Sequence, residues 1–351
     1  MEAVLAALCE GTAQRWHVHV VVAHDRWRTT VEERAGVTVI RAGVIARAAS
    51  VPIAPTLPYH LWRGAYDCVV LHEPNPFAAS VLAVRVPSER FVIWHHSAIV
   101  RPTWAPLAYG AVQRRLYQRA ECVIVGSPAL ATSPAVHGHR RIEVIPYGIR
   151  YERFLDGASA TRVDAALAQY PAPRLLFVGR LVYYKGLNVL LEALVDCPAT
   201  LLIVGEGPLA GQLRARAVAL GVDSRVAFLR GASTHEIKAC YQASDVFVLP
   251  STEITEAFGI VQLEAMASGL PVVSTNLPTG VPWVNQHGVT GLVVPAGQPA
   301  PLAAAIRTLL RDSALRSKMA EAGRRRVATA FSEAAMVTRF TEVIEDVVAH
   351  P

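Results

Sequence analysis

Four side chains in the second half of this sequence have the types and spacing to hold a doubly charged ligand: Arg180, Lys185, Glu256 and Glu264. Arg180 and Lys185 lie in FVGRLVYYKG, after an apolar run whose Gly179 lets the chain turn sharply at a strand end. Two cations so placed in a loop can grip a phosphate pair from two sides. The only lysines are Lys185, Lys238 and Lys318, so lysine is not this chain's default cation. Glu256 and Glu264 bound the stretch EAFGIVQLE. A strand, DVFVLPS, ends near Ser251, and the pattern predicts a helix from about Gly259 to a stop at Gly269. Phe258, Gly259 and Ile260 would then form a first turn whose backbone N–H groups attract an anion. Glu256 precedes that turn and Glu264 lies about one turn inside. Carboxylates accept paired hydrogen bonds from vicinal hydroxyls, so the two acids are placed to bracket a nucleotide-diphosphate-sugar. Taken singly, each charge is also explained as a solvated loop or helix residue; the set is what argues for a site.

The elements that must position these residues are short β-branched runs alternating with helical segments. HVHVVVAH, GVTVIRAG, YDCVVLHE, RFVIWHH, CVIVGS and IEVIPYG read as strands in the first half. RLLFVGR, TLLIVGEG, RVAFLRG, DVFVLPS, PVVST and GLVVPAG do so in the second. Near-continuous apolar strands separated by helices predict α/β domains with parallel sheets covered on both faces. Such sheets bind ligands beyond the carboxyl ends of their strands, where the Gly, Arg, His and Glu residues cluster here. A chain of 351 residues fits two domains. The expected division is 1–155, a linker over 156–172, a second domain over 173–330, and a C-terminal helix over 331–351 packing back toward the first domain.

Composition narrows the function classes. The sequence is 52% apolar and 18% charged, as a folded globular chain is. No apolar run reaches the ~18–20 residues needed to cross a bilayer, and Glu2 stands where a signal peptide would carry positive charge. Five scattered cysteines without C-x-x-C read as reduced thiols of a cytoplasmic protein and make no metal site. Residues 1–150 hold sixteen arginines, no lysine and ten acids, whereas the remainder balances. That excess suggests an anionic partner for the first half, or scatter in surface charge. No nucleic-acid motif accompanies it.

GRLVYYKG, VGEGP and EAFGIVQLEAMASGLPVV together resemble the retaining GT-B glycosyltransferases of the E-x7-E type, glycosyltransferase family 4, group 1. The likeness continues through GVPWVNQHGVTGLVVPAG and covers about residues 66–350, with Ala257 where the commonest form has Gly. The resemblance implies two Rossmann-like, doubly wound domains facing a cleft. It implies sugar transfer from a GDP- or UDP-sugar to a glycan or lipid-linked acceptor hydroxyl, with retention. Arg180 and Lys185 would stabilise the leaving diphosphate and Glu256 would bind the donor sugar. Phe258, Gly259 and Ile260 would offer amides, and Glu264 would hold the ribose. The chain contains no D-x-D, and with two cations and a helix end on the diphosphate no metal is expected.

In the first half, HEPNP ends a strand, and Glu73 and Asn75 are acceptor candidates. In WHHS, the resemblance assigns His96 to face the donor sugar; relatives often carry an acid where Ala98 stands. The segment WAPLAYGAVQRRLYQRA places Arg114, Arg115 and Arg119 beside Trp104, Tyr109 and Tyr117. It reads as a contact for anionic lipid at the inner face of the plasma membrane, or as a core-packed helix with a solvated arginine face. Relatives begin with a strand and a Gly-Gly loop, whereas Met1-Glu2 already reads as helix. That leads us to expect a first domain lacking its first strand, through a late start or truncation, and an uncertain activity. Two other readings fit parts of the sequence. LLIVGEGPLAG with Asp223 imitates a dinucleotide fingerprint but leaves the Arg/Lys/Glu set unexplained. A non-catalytic nucleotide-sugar binder would share the site without turnover.

Overall fold

The computed structural model describes residues 2–48, 51–97, 105–155 and 168–350. It contains two compact units: Met1–Gly148 together with Glu333–Pro351, and Ile149–Ser332. The second unit therefore starts earlier than the boundary expected at 155. Ile149 forms a parallel bridge with Ser332, and the turn Tyr151–Phe154 sets the Phe154 ring 6.1 Å from Tyr241. Much of the expected linker, residues 156–167, lies outside the described residues.

The second unit is a six-stranded parallel sheet. Its strands are β10 (Arg174–Val178), β11 (Thr200–Val204), β12 (Val226–Leu229), β13 (Val246–Leu249), β14 (Val272–Thr275) and β15 (Gly291–Val294). The order is β12-β11-β10-β13-β14-β15. The chain winds outward from β10 in one direction, crosses back, and winds outward from β13 in the other. Residues of β11, β13 and β14 are buried along their whole length, as strands covered on both faces must be. Leu190, Leu191 and Leu194 of the helix Leu187–Val195 and Leu302, Ile306 and Leu309 of the helix Pro299–Arg311 join one core with Leu175, Phe177, Leu201 and Ile203. The helix Thr234–Gln242 starts in a capping box: Ser233 and Glu236 each accept the other's backbone N–H. The buried Asn285 side chain donates to the carbonyls of Val272 and Leu292, tying β14 to β15.

The first unit departs from a single doubly wound sheet. β6 (Cys68–Glu73), β7 (Arg90–His95), β8 (Cys122–Val125) and β9 (Ile142–Val144) form a parallel sheet in that order. β1 (Val18–His24) pairs in parallel with β3 (Val37–Gly43), which pairs antiparallel with β2 (Thr30–Arg34). β4 (Ala46–Ala48) and β5 (Val51–Ile53) make a small hairpin. Among the described residues no strand joins β1 to β6. Both of those strands are largely half-buried, whereas β8 is wholly buried and β7 nearly so. The helix Glu333–Ala349 belongs to this unit. Its Phe340 stacks on Trp94 at 5.5 Å, its Arg339 pairs with Glu143 at 2.8 Å, and Val337 fills the space beside Gly11.

Candidate active site

In the second unit the winding reverses between β10 and β13, and this switch point is where open α/β sheets bind ligands. Gly179, Arg180 and Lys185 follow β10, and Ser251 to Glu256 follow β13. The two loops meet there. Lys185 Nζ donates to Glu256 Oε2 at 2.6 Å, and Ser251 Oγ donates to the same oxygen at 2.8 Å. Lys185 is 8% exposed and Glu256 7%. The Thr252 amide donates to the Tyr184 carbonyl at 2.8 Å, fastening one loop to the other. Gly186 has φ +67°, and a Cβ there would collide with the Pro250 carbonyl, so only glycine allows this approach.

Arg180 is exposed and stands at a cavity of about 580 Å³. The walls are the strand-end loops around Gly179, Gly205, Gly207 and Gly231. A Cβ on Gly205 would collide with the Gly179 carbonyl. The glycines of VGEGP that imitate a dinucleotide fingerprint thus serve close backbone packing against the β10 loop.

The Phe258 side chain is buried against Trp283 and Phe331 at centroid distances of 6.2 and 6.0 Å. Gly259 takes φ +72°. The helix spans Val261–Ala267, with Ile260 as its N-cap, so it starts slightly later than predicted. The amides of Gly259 and Ile260 have no acceptor among the described residues. Glu264 accepts the Tyr241 hydroxyl at 2.8 Å. Burial raises the Glu264 carboxyl above the usual range, and the Tyr241 bond partly opposes this.

The first unit holds the remaining sequence-selected residues. Glu73 is buried, which raises its carboxyl above the usual range; Oε1 accepts the Tyr109 hydroxyl at 2.8 Å, and hydrogen bonds from Tyr109, the Asn75 backbone and Gln113 oppose the rise. Asn75 caps the helix Pro76–Val84, accepting the Ala78 amide at 3.3 Å. His96 commits both ring nitrogens inside this unit: Nε2 to His72 Nδ1 at 2.9 Å, Nδ1 to the Tyr147 hydroxyl at 2.5 Å. Its ring stacks on His72 with centroids 5.1 Å apart. Burial pushes His72 down to about 4 and holds His96 well below the ordinary histidine value. Tyr109 and Tyr117 are buried in the helix Ala105–Arg119, whose Arg114, Arg115 and Arg119 are exposed. Ala98 and Trp104 lie outside the described residues.

Sequence reasoning missed Ser251, Tyr241, His72 and Tyr147. Ser251 and His72 sit at strand ends, where such a signal is readable. Tyr241 and Tyr147 act across long sequence separations that no local pattern marks.

Residues 165–326 match the family described as glycosyl transferases group 1, and residues 1–148 match the glycosyl transferase 4-like domain. The D-rhamnosyltransferase WbpZ of Pseudomonas aeruginosa is 32% identical over 315 residues, spanning 88% of this chain and 82% of its own. The chain belongs to the group 1 glycosyltransferases. A second relative of this glycosyltransferase, the O-antigen chain mannosyltransferase C of Escherichia coli, is 29% identical, covering 79% of this chain and 75% of its own. Among solved structures, the sucrose-phosphate synthase of Thermosynechococcus elongatus superposes with a TM-score of 0.80 at 25% identity, over 99% of this chain and 94% of its own.

The fold is thus α/β of the GT-B type, and the enzyme transfers sugar from a nucleotide-sugar donor. In this glycosyltransferase the switch-point loops set an exposed guanidinium, a buried Lys–Glu pair and two turn amides at one edge of a parallel sheet. Among the described residues no helix is long and apolar enough to cross a membrane.

Proposed function

We propose that this glycosyltransferase moves a hexose from a GDP- or UDP-sugar to a hydroxyl of a growing cell-surface glycan or lipid-linked intermediate, with retention and without a divalent metal. A relative named as a GDP-mannose-dependent mannosyltransferase favours a GDP-sugar, and the O-antigen chain mannosyltransferase favours a polysaccharide acceptor. The observation that carries the reading is the Lys185–Glu256 bridge across the switch point. Departure of the nucleoside diphosphate concentrates negative charge on its terminal phosphate. Lys185, Arg180 and the Gly259 and Ile260 amides supply fixed positive charge and donors for it, the role a metal would otherwise take. Glu256 orients Lys185 and offers its other oxygen to donor-sugar hydroxyls; Glu264 takes the ribose. The acceptor hydroxyl attacks from the face the phosphate leaves, and its proton passes to a phosphate oxygen. Oε2 of Glu256 is tied to Lys185 and Ser251, which suits a positioning carboxylate better than a covalent nucleophile. Glu73 and Asn75 are assigned to the acceptor and His96 to the donor sugar; the reading does not rest on them.

The test is a panel of nucleotide-sugars with nucleotide release and product anomer as readouts, run with and without EDTA. Glu256→Ala serves as the control. Transfer with retention, insensitive to EDTA and lost in the variant, supports the reading; inversion, or activity only with added metal, overturns it. We assign the enzyme to the inner face of the plasma membrane through the exposed Arg115 and Arg119. Binding to anionic but not neutral vesicles, weakened by Arg115→Glu/Arg119→Glu, checks this, and equal binding to both refutes it.

A further inference from the structure

The first unit contains a cavity of about 610 Å³ between the helix Ala105–Arg119 and the loop Ser133–Arg140, a size typical of small-molecule sites. His95, 1% exposed, lies in its wall. Its Nδ1 meets the Tyr117 hydroxyl at 2.7 Å, while Nε2 is buried with no partner among the described residues. Ser133 Oγ, also in the wall, is likewise buried and unpartnered. Buried polar atoms are seldom left unmatched, because each has lost its water without gaining a bond in return. Both belong to residues of this one cavity's wall, where an occupant with hydrogen-bonding atoms would match them. The rest of the lining says which kind. Arg114 and Arg140 are exposed, have no ion pair among the described residues, and stand at the cavity with Gln113 and Gln118. Among the described residues no carboxylate lines it; the buried Glu73 behind the wall is engaged by Tyr109 and Gln113.

We propose that this cavity is a second ligand site, taking a phosphate-bearing sugar whose phosphate meets Arg114 and Arg140 and whose hydroxyls meet Ser133, Gln113 and His95. When Tyr117 donates to Nδ1, Nε2 carries the ring proton and points it at an oxygen of the ligand. Guanidinium pairs suit phosphate oxygens in two-point contacts, and the amides and hydroxyl suit a sugar. Among the described residues, those lining the cavity all belong to the first unit, whereas donor binding is assigned to the second, so the two sites stand or fall separately. The phosphate could come from a free sugar phosphate or from a lipid-linked sugar phosphate.

The experiment titrates the full chain, saturated with UDP or GDP, with glucose 6-phosphate, glucose and inorganic phosphate, and separately with a polyprenyl phosphate in detergent micelles. Glucose 6-phosphate should bind tenfold or more tightly than glucose. Arg114→Ala/Arg140→Ala should weaken it at least tenfold and Ser133→Ala about threefold, while Arg180→Ala leaves it unchanged. Because the His95 site is deep, its role is read from the ¹⁵N signal of Nε2 in the unaltered protein, which should move with glucose 6-phosphate and not with glucose. Micelle binding with the same arginine dependence identifies a lipid source; binding of the soluble sugar phosphate alone identifies a free one. Failure of both ligands to bind, binding that survives the double substitution, or binding lost in Arg180→Ala overturns the proposal.

Discussion

The second unit buries an ion pair, Lys185 and Glu256, at 2.6 Å; the first buries uncharged rings, His72, His96 and Tyr147, linked at 2.9 and 2.5 Å. Both clusters sit at the C-terminal ends of parallel strands. A buried ion pair is a poor way to gain stability, because desolvation offsets most of the attraction. On the proposed reading it holds a cation in place for a charged ligand. A stack of neutral rings gains packing area and satisfied hydrogen bonds, and it is indifferent to ligand charge but sensitive to protons. If the proposed function holds, the comparison separates a cluster kept for binding from one kept for architecture.

The largest test breaks the ion pair. Lys185→Ala leaves the Glu256 carboxylate buried without its cation, which should cost ~3–5 kcal/mol of stability, and should slow transfer by ~10²–10³ through loss of a charge donor at the leaving group. Lys185→Met/Glu256→Leu fills the volume without charge. Urea denaturation should then show recovered stability while nucleotide release stays at the level of the single variant. Recovery of both would mean that the pair is architectural, like the histidine stack.

The next test acts on the first unit through pH. His72 has its folded value lowered to about 4 from 6.5. Above 6.5 the ring is neutral in both the folded and the unfolded chain, and its contribution is complete. As pH falls below 6.5 the unfolded chain takes up protons that the folded ring refuses, and stability declines until about 4. The span corresponds to about 3 kcal/mol for this ring. Urea midpoints measured from pH 7.5 to 4.5 should fall steadily, with a shallower slope in His72→Phe. A flat profile would show that the rings are not held neutral.

The same contrast explains what was readable in the sequence. The strand runs of both halves appear where their apolar pattern put them, because a parallel strand buried on two faces needs a continuous apolar stretch. TVEER, which became β2, gave no such signal: all its residues are exposed, and its pairing depends on β3. Arg180, Lys185 and Glu256 could be chosen because glycine turns and strand ends are local features. That Lys185 and Glu256 would bond to each other could not, since their contact spans 71 positions and depends on the order of β10 and β13. His96 was picked from a resemblance, but the constraint on its ring comes from His72 and Tyr147, one on the neighbouring strand and the other 51 positions away.

A smaller effect is expected at Tyr241, the partner of Glu264. Tyr241→Phe keeps the ring but leaves the buried Glu264 oxygen without its donor, at about 1–3 kcal/mol. Thermal unfolding checks this, and Glu264→Gln in the same background should return part of the loss by removing the acid. If Glu264 also holds a ribose, as proposed, Glu264→Gln alone should raise the donor KM with little change in kcat.

Asn75 gives the smallest effect and the finest separation of roles. It caps the helix Pro76–Val84 through a 3.3 Å bond from Ala78 N, so Asn75→Ala should cost ~1 kcal/mol. Asp accepts the same bond and adds a favourable charge at the helix start. Asn75→Asp should therefore restore the melting temperature, because the cap needs only an acceptor oxygen. An acceptor-binding Asn uses its amide N–H as well, which Asp lacks. Equal acceptor KM in Asn75→Asp and the unaltered enzyme would place Asn75 with the architectural residues of the first unit. A raised KM at unchanged stability would return it to the acceptor site, where the strand-end position of HEPNP first put it.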